Sequence, residues 1–242
     1  MVEQSKTVGH AISVLLSLAE DGPGTVTEVA RRCRLNRTVA HRLLATLDGR
    51  RMVRRSGDGV WRLGLGLLGL ASRVESDVRR AARPVLEDLA TRFGETAVLS
   101  LADGDEVVAV EQALGERHPV RVQYRPGNRH PQTRGAHGRA VLAFAESEHV
   151  ERLLAGEPAA ADIRGLLELT RRNGYAESHD ELQFGASGLA APVRDTSGRV
   201  IASLGMVAPV NRLPDTAVLA PAMLQAAAAV VERLGRELRR SA

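Results

Sequence analysis

Cysteine is almost absent from this chain of 242 residues: Cys33 stands alone, which excludes an internal disulfide framework and a cysteine-built metal cluster. No apolar run approaches the roughly 20 residues that a membrane span needs; the longest, Gly64 to Ala71, is far shorter. The N-terminus lacks the basic-then-apolar order of a secretion signal, since the run after His10 reads as an amphipathic surface helix. There is no Gly-x-Ser-x-Gly elbow, no phosphate-binding Gly-rich loop and no catalytic carboxylate pair. Seven histidines remain. Among them, His118, His130 and His137 are spaced unlike metal ligands, and Pro119 and Pro131 mark loops beside the first two. His179-Asp180-Glu181 reads as a solvated loop, because adjacent strand residues point to opposite faces. Cys33 itself reads as a small core residue. The expectation is a soluble cytoplasmic protein that is not an enzyme and has neither metal nor cofactor.

At 44% hydrophobic and 26% charged residues, the composition excludes wholesale disorder, and the length suits two small domains or one large one. Lysine is nearly missing too. Lys6 is the only one, and arginine-for-lysine usage on this scale is read as a coding bias toward GC rather than as a functional signal. The placement of the charge says more. Residues 1–75 hold 12 Lys+Arg and 7 Asp+Glu, a net of +5, which leaves −1 of the overall +4 for residues 76–242. Within 31–62 there are 10 arginines against Asp48 and Asp58. Such asymmetry suits a segment that meets a polyanion.

In that basic segment, Val8, Ile12, Leu15, Leu16 and Ala19 recur at helical spacing, predicting a first helix over Ser5–Glu20 with those residues as its apolar face. Gly22-Pro23-Gly24 stops it. Thr25 and Glu28 form a capping-box signature for a short second helix that buries Val26, Val29, Ala30 and Cys33. Asn36 is the N-cap expected for a third, whose core stripe is Ala40, Leu43, Leu44 and Leu47. Its opposite face carries Arg37, Thr38, His41 and Arg42. Guanidinium groups pair with guanine or clamp phosphates, and hydroxyl and imidazole reach base edges. Any surface helix carries charges, but no acidic residue balances this exposed face. A short helix, a turn and a basic helix make a helix-turn-helix. Met52–Arg55 and Val60–Leu63 then flank Ser56-Gly57-Asp58-Gly59 as a hairpin, whose arginines at 50, 51, 54, 55 and 62 reach the DNA backbone, Arg54 and Arg55 foremost. The pattern predicts a winged helix-turn-helix.

The run from Gly22 to Ala71 resembles the N-terminal domain of IclR-type bacterial transcriptional regulators. Val39 to Leu44 match the family's small–Ala/Val–His–Arg–Leu–Leu run, and Trp61-Arg62-Leu63-Gly64 its aromatic–x–Leu–Gly beside the wing. The resemblance extends over almost the whole chain. It implies an α+β two-domain fold: a winged helix-turn-helix over 1–64, a linker helix over 65–82 that helps pair two subunits, and a GAF-like effector-binding domain over 83–242 with a central antiparallel sheet. From the residues themselves, Pro84 should start a new helix, and Gly64, Gly66 and Gly69 need a close packing surface or a hinge to explain them.

Beyond Gly94, the sequence reads as strands at Thr96–Leu101 and Glu106–Val110 around Asp103-Gly104-Asp105, and at Val120, Val122 and Tyr124. Helices follow at 138–145, 150–154 and 163–172, then strands at 189–193 and 200–207 around Asp195-Thr196-Ser197-Gly198. A long Ala/Leu helix, 215–238, closes the domain. The resemblance places a small effector at Val122, Ala136, His137, Gly138, Ser178, Gly188, Gly205 and Val207, with Arg139 matching the family's Gly–Lys/Arg. Family members that bind short carboxylic acids tend to have Asp, Cys, Ser and Ser at 178, 188, 205 and 207, where this chain has Ser, Gly, Gly and Val. The expected pocket is therefore roomier and less polar, suited to an aromatic acid or a secondary metabolite, unless it is vestigial and binds nothing. The overall expectation is a ligand-responsive, sequence-specific regulator, a repressor, binding double-stranded operator DNA as a homodimer or dimer of dimers. The alternative is a small-molecule-binding or enzymatic domain whose basic N-terminus binds DNA only non-specifically.

Overall fold

The computed structural model describes residues 5–74, 76–195 and 197–241, so the expected turn residue Thr196 and residues 1–4 of the first domain lie outside the described residues. The chain divides into two compact units, Met1–Ser76 and Asp77–Ala242, a division that falls inside the expected 65–82 linker.

The first unit contains α1 (Lys6–Glu20), α2 (Val26–Arg32), α3 (Arg37–Gly49), β1 (Val53–Arg55), β2 (Trp61–Leu63) and α4 (Gly66–Ala71). Its core joins Val14 and Leu18 of α1 to Val29, Leu43, Leu44, Val53 and Trp61, with Cys33 packed against them. The inward face of α1 differs from expectation. Ala11, Val14, Leu15 and Leu18 turn inward, whereas Val8, Ile12, Leu16 and Ala19 are exposed. Alpha-helix 1 is apolar around more than half its girth, so periodicity alone finds two stripes, and contact with the other helices selects one. Two of the three glycines near the wing have a packing reason. A Cβ on Gly64 or Gly66 would stand 2.2 or 2.7 Å from the Arg51 carbonyl oxygen, while one on Gly69 would meet nothing within 4 Å.

The expected linker helix is not one helix. Helix α4 ends at Ala71, and α5 (Ser76–Phe93) runs unbroken through Pro84. Pro84 lies on the exposed side, and Ala81, Ala82, Val85, Leu86, Leu89 and Ala90 form one buried stripe across it, so packing overrides the local cost of the proline.

The second unit continues with β3 (Thr96–Asp103), β4 (Glu106–Ala113), β5 (Arg129–Pro131), α6 (Gly135–Leu142), α7 (Ser147–Leu154), α8 (Ala160–Asn173), β6 (Ala176–His179), β7 (Ala186–Arg194), β8 (Val200–Pro209) and α9 (Thr216–Ser241). The strands form one antiparallel sheet in the order β5-β4-β3-β8-β7-β6. Alternation along β3, β7 and β8 sends Leu99, Leu189, Leu204 and Met206 to the face covered by α5 and α9. Val98, Ala190 and Val207 point to the other face, where α6 packs. Helix α9 has the length and apolarity of a membrane span over Thr216–Arg236, a stretch missed when only unbroken apolar runs are sought; Leu219, Met223, Val230 and Leu234 bury one side of it against the sheet.

The segment around Val120, Val122 and Tyr124 is not a strand. Side chains replace the ladder: Thr96 Oγ1 donates to the Val122 carbonyl at 2.6 Å, and the Arg212 guanidinium donates to that of Val120 at 2.6 Å. Pro131, expected in a loop, ends the short edge strand β5.

Candidate functional site

In the first unit, local chemistry sets the position of α3. The Asn36 side chain accepts the Thr38 N–H at 2.8 Å, an N-cap that fixes where the helix starts. Thr25 and Glu28 complete the capping box of α2, in which Glu28 accepts the Thr25 N–H at 2.7 Å. That backbone hydrogen bond, with the Thr25 hydroxyl, holds the Glu28 carboxyl below its ordinary pKa. With Ala40, Leu43 and Leu44 buried, Arg37, Thr38, His41 and Arg42 are all exposed on the remaining face. Among the described residues, none of these four side chains has a protein hydrogen bond or ion pair. The helix thus presents two guanidinium groups, a hydroxyl and an imidazole.

The wing pairs Val53 with Leu63, Arg54 with Arg62 and Arg55 with Trp61. Arg54 and Arg55 are exposed, and the Arg55 guanidinium lies 6.0 Å from the centre of the Trp61 ring. Arg62 is partly committed, donating from Nε to Ser56 Oγ at 3.0 Å.

In the second unit, the expected effector residues fall into two sets. Ala136, His137, Ser178, Gly188 and Val207 line one small cavity together with Tyr124, Glu181, Leu182, Gln183, Ala186 and Ser187. Val122, Gly138 and Gly205 do not line it. Val122 packs with Val98, Ala109 and Val207. A Cβ on Gly138 would lie 2.7 Å from the Gln132 carbonyl oxygen, and one on Gly205 would lie 2.4 Å from that of Leu189. Both glycines therefore serve close backbone packing.

Nor is the cavity roomy. Its volume is about 20 Å³, close to what one water needs. Glycine at 188 and 205 does not make it larger: a Cβ at 205 would press on the Leu189 carbonyl oxygen at 2.4 Å, and one at 188 would already touch that of Met206 at 3.3 Å. The cavity's polar atoms are informative. His137 is 3% exposed, and its Nδ1 lies 3.0 Å from Ser203 Oγ. Burial, and then the neighbouring His130, push its pKa down to about 3, so the ring is neutral. Its Nε2 and Ser187 Oγ are buried without a protein partner. Burial, and then the Glu181 charge, raise the Tyr124 phenol to about 12.

Arg139 and Glu181 correct the reading of the 179–181 stretch as a solvated loop. Arg139 is 2% exposed, and its guanidinium reaches both Glu181 oxygens at 2.6 Å and also bonds the Glu177 carbonyl. Burial would raise the Glu181 pKa, but hydrogen bonds from Arg139 and from the Gly135 N–H together bring it below its ordinary value. The sequence reading missed Glu181, Ser187 and Ser203. Only the lone acidic partner needed by a buried arginine could have pointed to the first. No group of three or more His, Cys, Asp or Glu suited to a metal occurs among the described residues.

Comparison with known proteins agrees with this geometry. Residues 7–57 match the IclR helix-turn-helix domain, and residues 71–233 match the bacterial transcriptional regulator IclR C-terminal domain. The chain is 31% identical over 226 residues to the glycerol operon regulatory protein of Streptomyces griseus, covering 87% of this chain and 88% of that one. It is 27% identical to the HTH-type transcriptional regulator KipR of Bacillus subtilis, over 85% of this chain and 87% of the relative. An IclR homolog of Microbacterium hydrocarbonoxydans, solved in complex with 4-hydroxybenzoate, superposes with a TM-score of 0.85 at 26% identity, covering 96% of this chain and all of the other. With family models matching both the helix-turn-helix unit and the unit built on the antiparallel sheet, the chain belongs to the IclR family of bacterial transcriptional regulators.

Proposed function

We infer that the protein is a ligand-responsive repressor that binds a specific operator as a homodimer or a dimer of dimers in the cytoplasm. The observation that carries this reading is the row Arg37, Thr38, His41 and Arg42, exposed on a capped helix and engaged by no other side chain among the described residues. In the major groove, this row reads base edges, while Arg54 and Arg55 hold the adjacent backbone. Pairing of two copies is supported by the apolar side of α1, where Val8, Ile12 and Leu16 are each at least half exposed, and by the exposed Leu65, Leu68 and Leu70 at α4. Soluble domains rarely leave such stripes uncovered, and pairing doubles the interface on a palindromic site.

The effector site is the cavity at His137 and Ser187. An organic effector enters only when the loop carrying Leu182 withdraws, and it acts by binding one DNA-binding state better than the other. Fluorescence anisotropy on the DNA upstream of the protein's own gene, with random competitor and a salt series, tests the reading. Binding that survives competitor, with log K falling steeply with log salt, supports it. Weak binding abolished by competitor would instead favour the small-molecule-binding or enzymatic alternative.

A further inference from the structure

The N–H groups that open a helix attract a carboxylate, and a buried guanidinium attracts one more strongly. In this domain a carboxylate from the chain itself meets both. Glu181 Oε2 accepts the Gly135 N–H at the head of α6 at 2.9 Å, and the two Glu181 oxygens accept from Arg139 at 2.6 Å each. The Arg134 guanidinium donates to the Glu181 carbonyl at 2.5 Å. The loop that delivers Glu181 is closed at its base, where the Gly185 N–H donates to Asp180 Oδ1 at 2.6 Å and the Asp180 N–H to the Ala186 carbonyl at 2.9 Å.

Beside this satisfied carboxylate lie two polar groups in the opposite condition. His137 Nε2 and Ser187 Oγ belong to residues 3% and 2% exposed, line the cavity and have no protein partner. Neither carries a charge that would attract an anion, and the Arg139 guanidinium and Gly135 N–H that would receive a carboxylate are already occupied by Glu181.

We propose that Glu181 sets the charge of the ligand: it fills the carboxylate position itself, turns carboxylates away, and leaves His137 Nε2 and Ser187 Oγ to receive an uncharged molecule bearing a hydroxyl or carbonyl group. The proposal rests on the effector-site reading above and narrows its ligand class. It assigns Glu181 a role in specificity through Arg139 and Gly135.

The test uses the full chain and two probes of nearly the same shape, benzamide and benzoate, followed by calorimetric titration. A ring needs Leu182 to move off Gly135 in either case, so the comparison isolates charge. The wild type should bind benzamide tighter than benzoate by about tenfold or more, the equivalent of one pKa unit of differential interaction. Glu181→Ala should lower the melting temperature, and acetate should restore part of the loss where chloride at equal ionic strength does not, while acetate leaves the wild type unchanged. Acetate stabilisation of the wild type equal to that of the variant, or none in the variant, overturns the proposal. Should Glu181→Ala not fold, the wild-type titration decides alone. If benzoate binds as well as benzamide, the effector site stands and the charge rule falls; if neither binds, both fall.

Discussion

Trp61 and Gly24 exchange both of their backbone hydrogen bonds, at 2.8 Å from the Trp61 N–H and at 3.1 Å from the Gly24 N–H. The turn between α1 and α2 thereby becomes a one-residue strand beside the wing. The same tryptophan is 3% exposed and packs with Val14, Leu18, Val29 and Leu44. One residue thus ties the wing to the helices of the first unit, through both its backbone and its side chain.

Trp61→Ala should therefore cost about 3–5 kcal/mol of stability in the DNA-binding unit. Trp61→Phe should cost much less, because the indole N–H has no protein partner to lose. Thermal unfolding followed by circular dichroism checks both; equal losses would show that the indole N–H is bonded after all.

Arg42→Ala should weaken operator binding by roughly 1–3 kcal/mol and relax specificity at one base position. Arg54→Ala should weaken binding to all sequences alike and reduce the salt slope by about one. Anisotropy on operator and scrambled duplexes separates the two. No loss for Arg42→Ala would mean that α3 does not enter the groove.

Gly64 and Gly69 lie close in sequence but should respond oppositely to alanine. At Gly64 the new Cβ would press on the Arg51 carbonyl, and the variant should lose more than about 1 kcal/mol. At Gly69, inside α4 and facing open space, alanine should be neutral or stabilise by up to about 1 kcal/mol. Denaturant melts of the two variants give the comparison directly.

His137 is neutral in the folded protein down to about pH 3, whereas it takes up a proton near 6.5 when unfolded. Between those values the unfolded chain binds the extra proton, so stability rises with pH across that window and is lost as pH falls through it. The slope should reach up to about 1.4 kcal/mol per pH unit. His137→Gln should flatten that limb; an unchanged pH profile of stability would mean that His137 is charged or exposed in solution.

The readable parts of this protein were the locally determined ones. The start of α3 depends on Asn36 and the N–H two residues on, and its core stripe on a spacing of three and four, so the face bearing Arg37, Thr38, His41 and Arg42 follows from a few neighbouring residues. The wing is as local, a hairpin around a Gly-Asp-Gly turn. The family match carried over Ala136, His137, Ser178, Gly188 and Val207, which do meet at one cavity. What tertiary structure alone decided were choices between equivalent local options. Helix α1 offers two apolar stripes, and only packing selects the inner one; α5 could break at Pro84, and only its buried stripe keeps it whole. Arg139 and Glu181 are 42 residues apart, and no local pattern marks them as partners. Their pairing forms only when α6 and the loop after β6 come together in the folded domain.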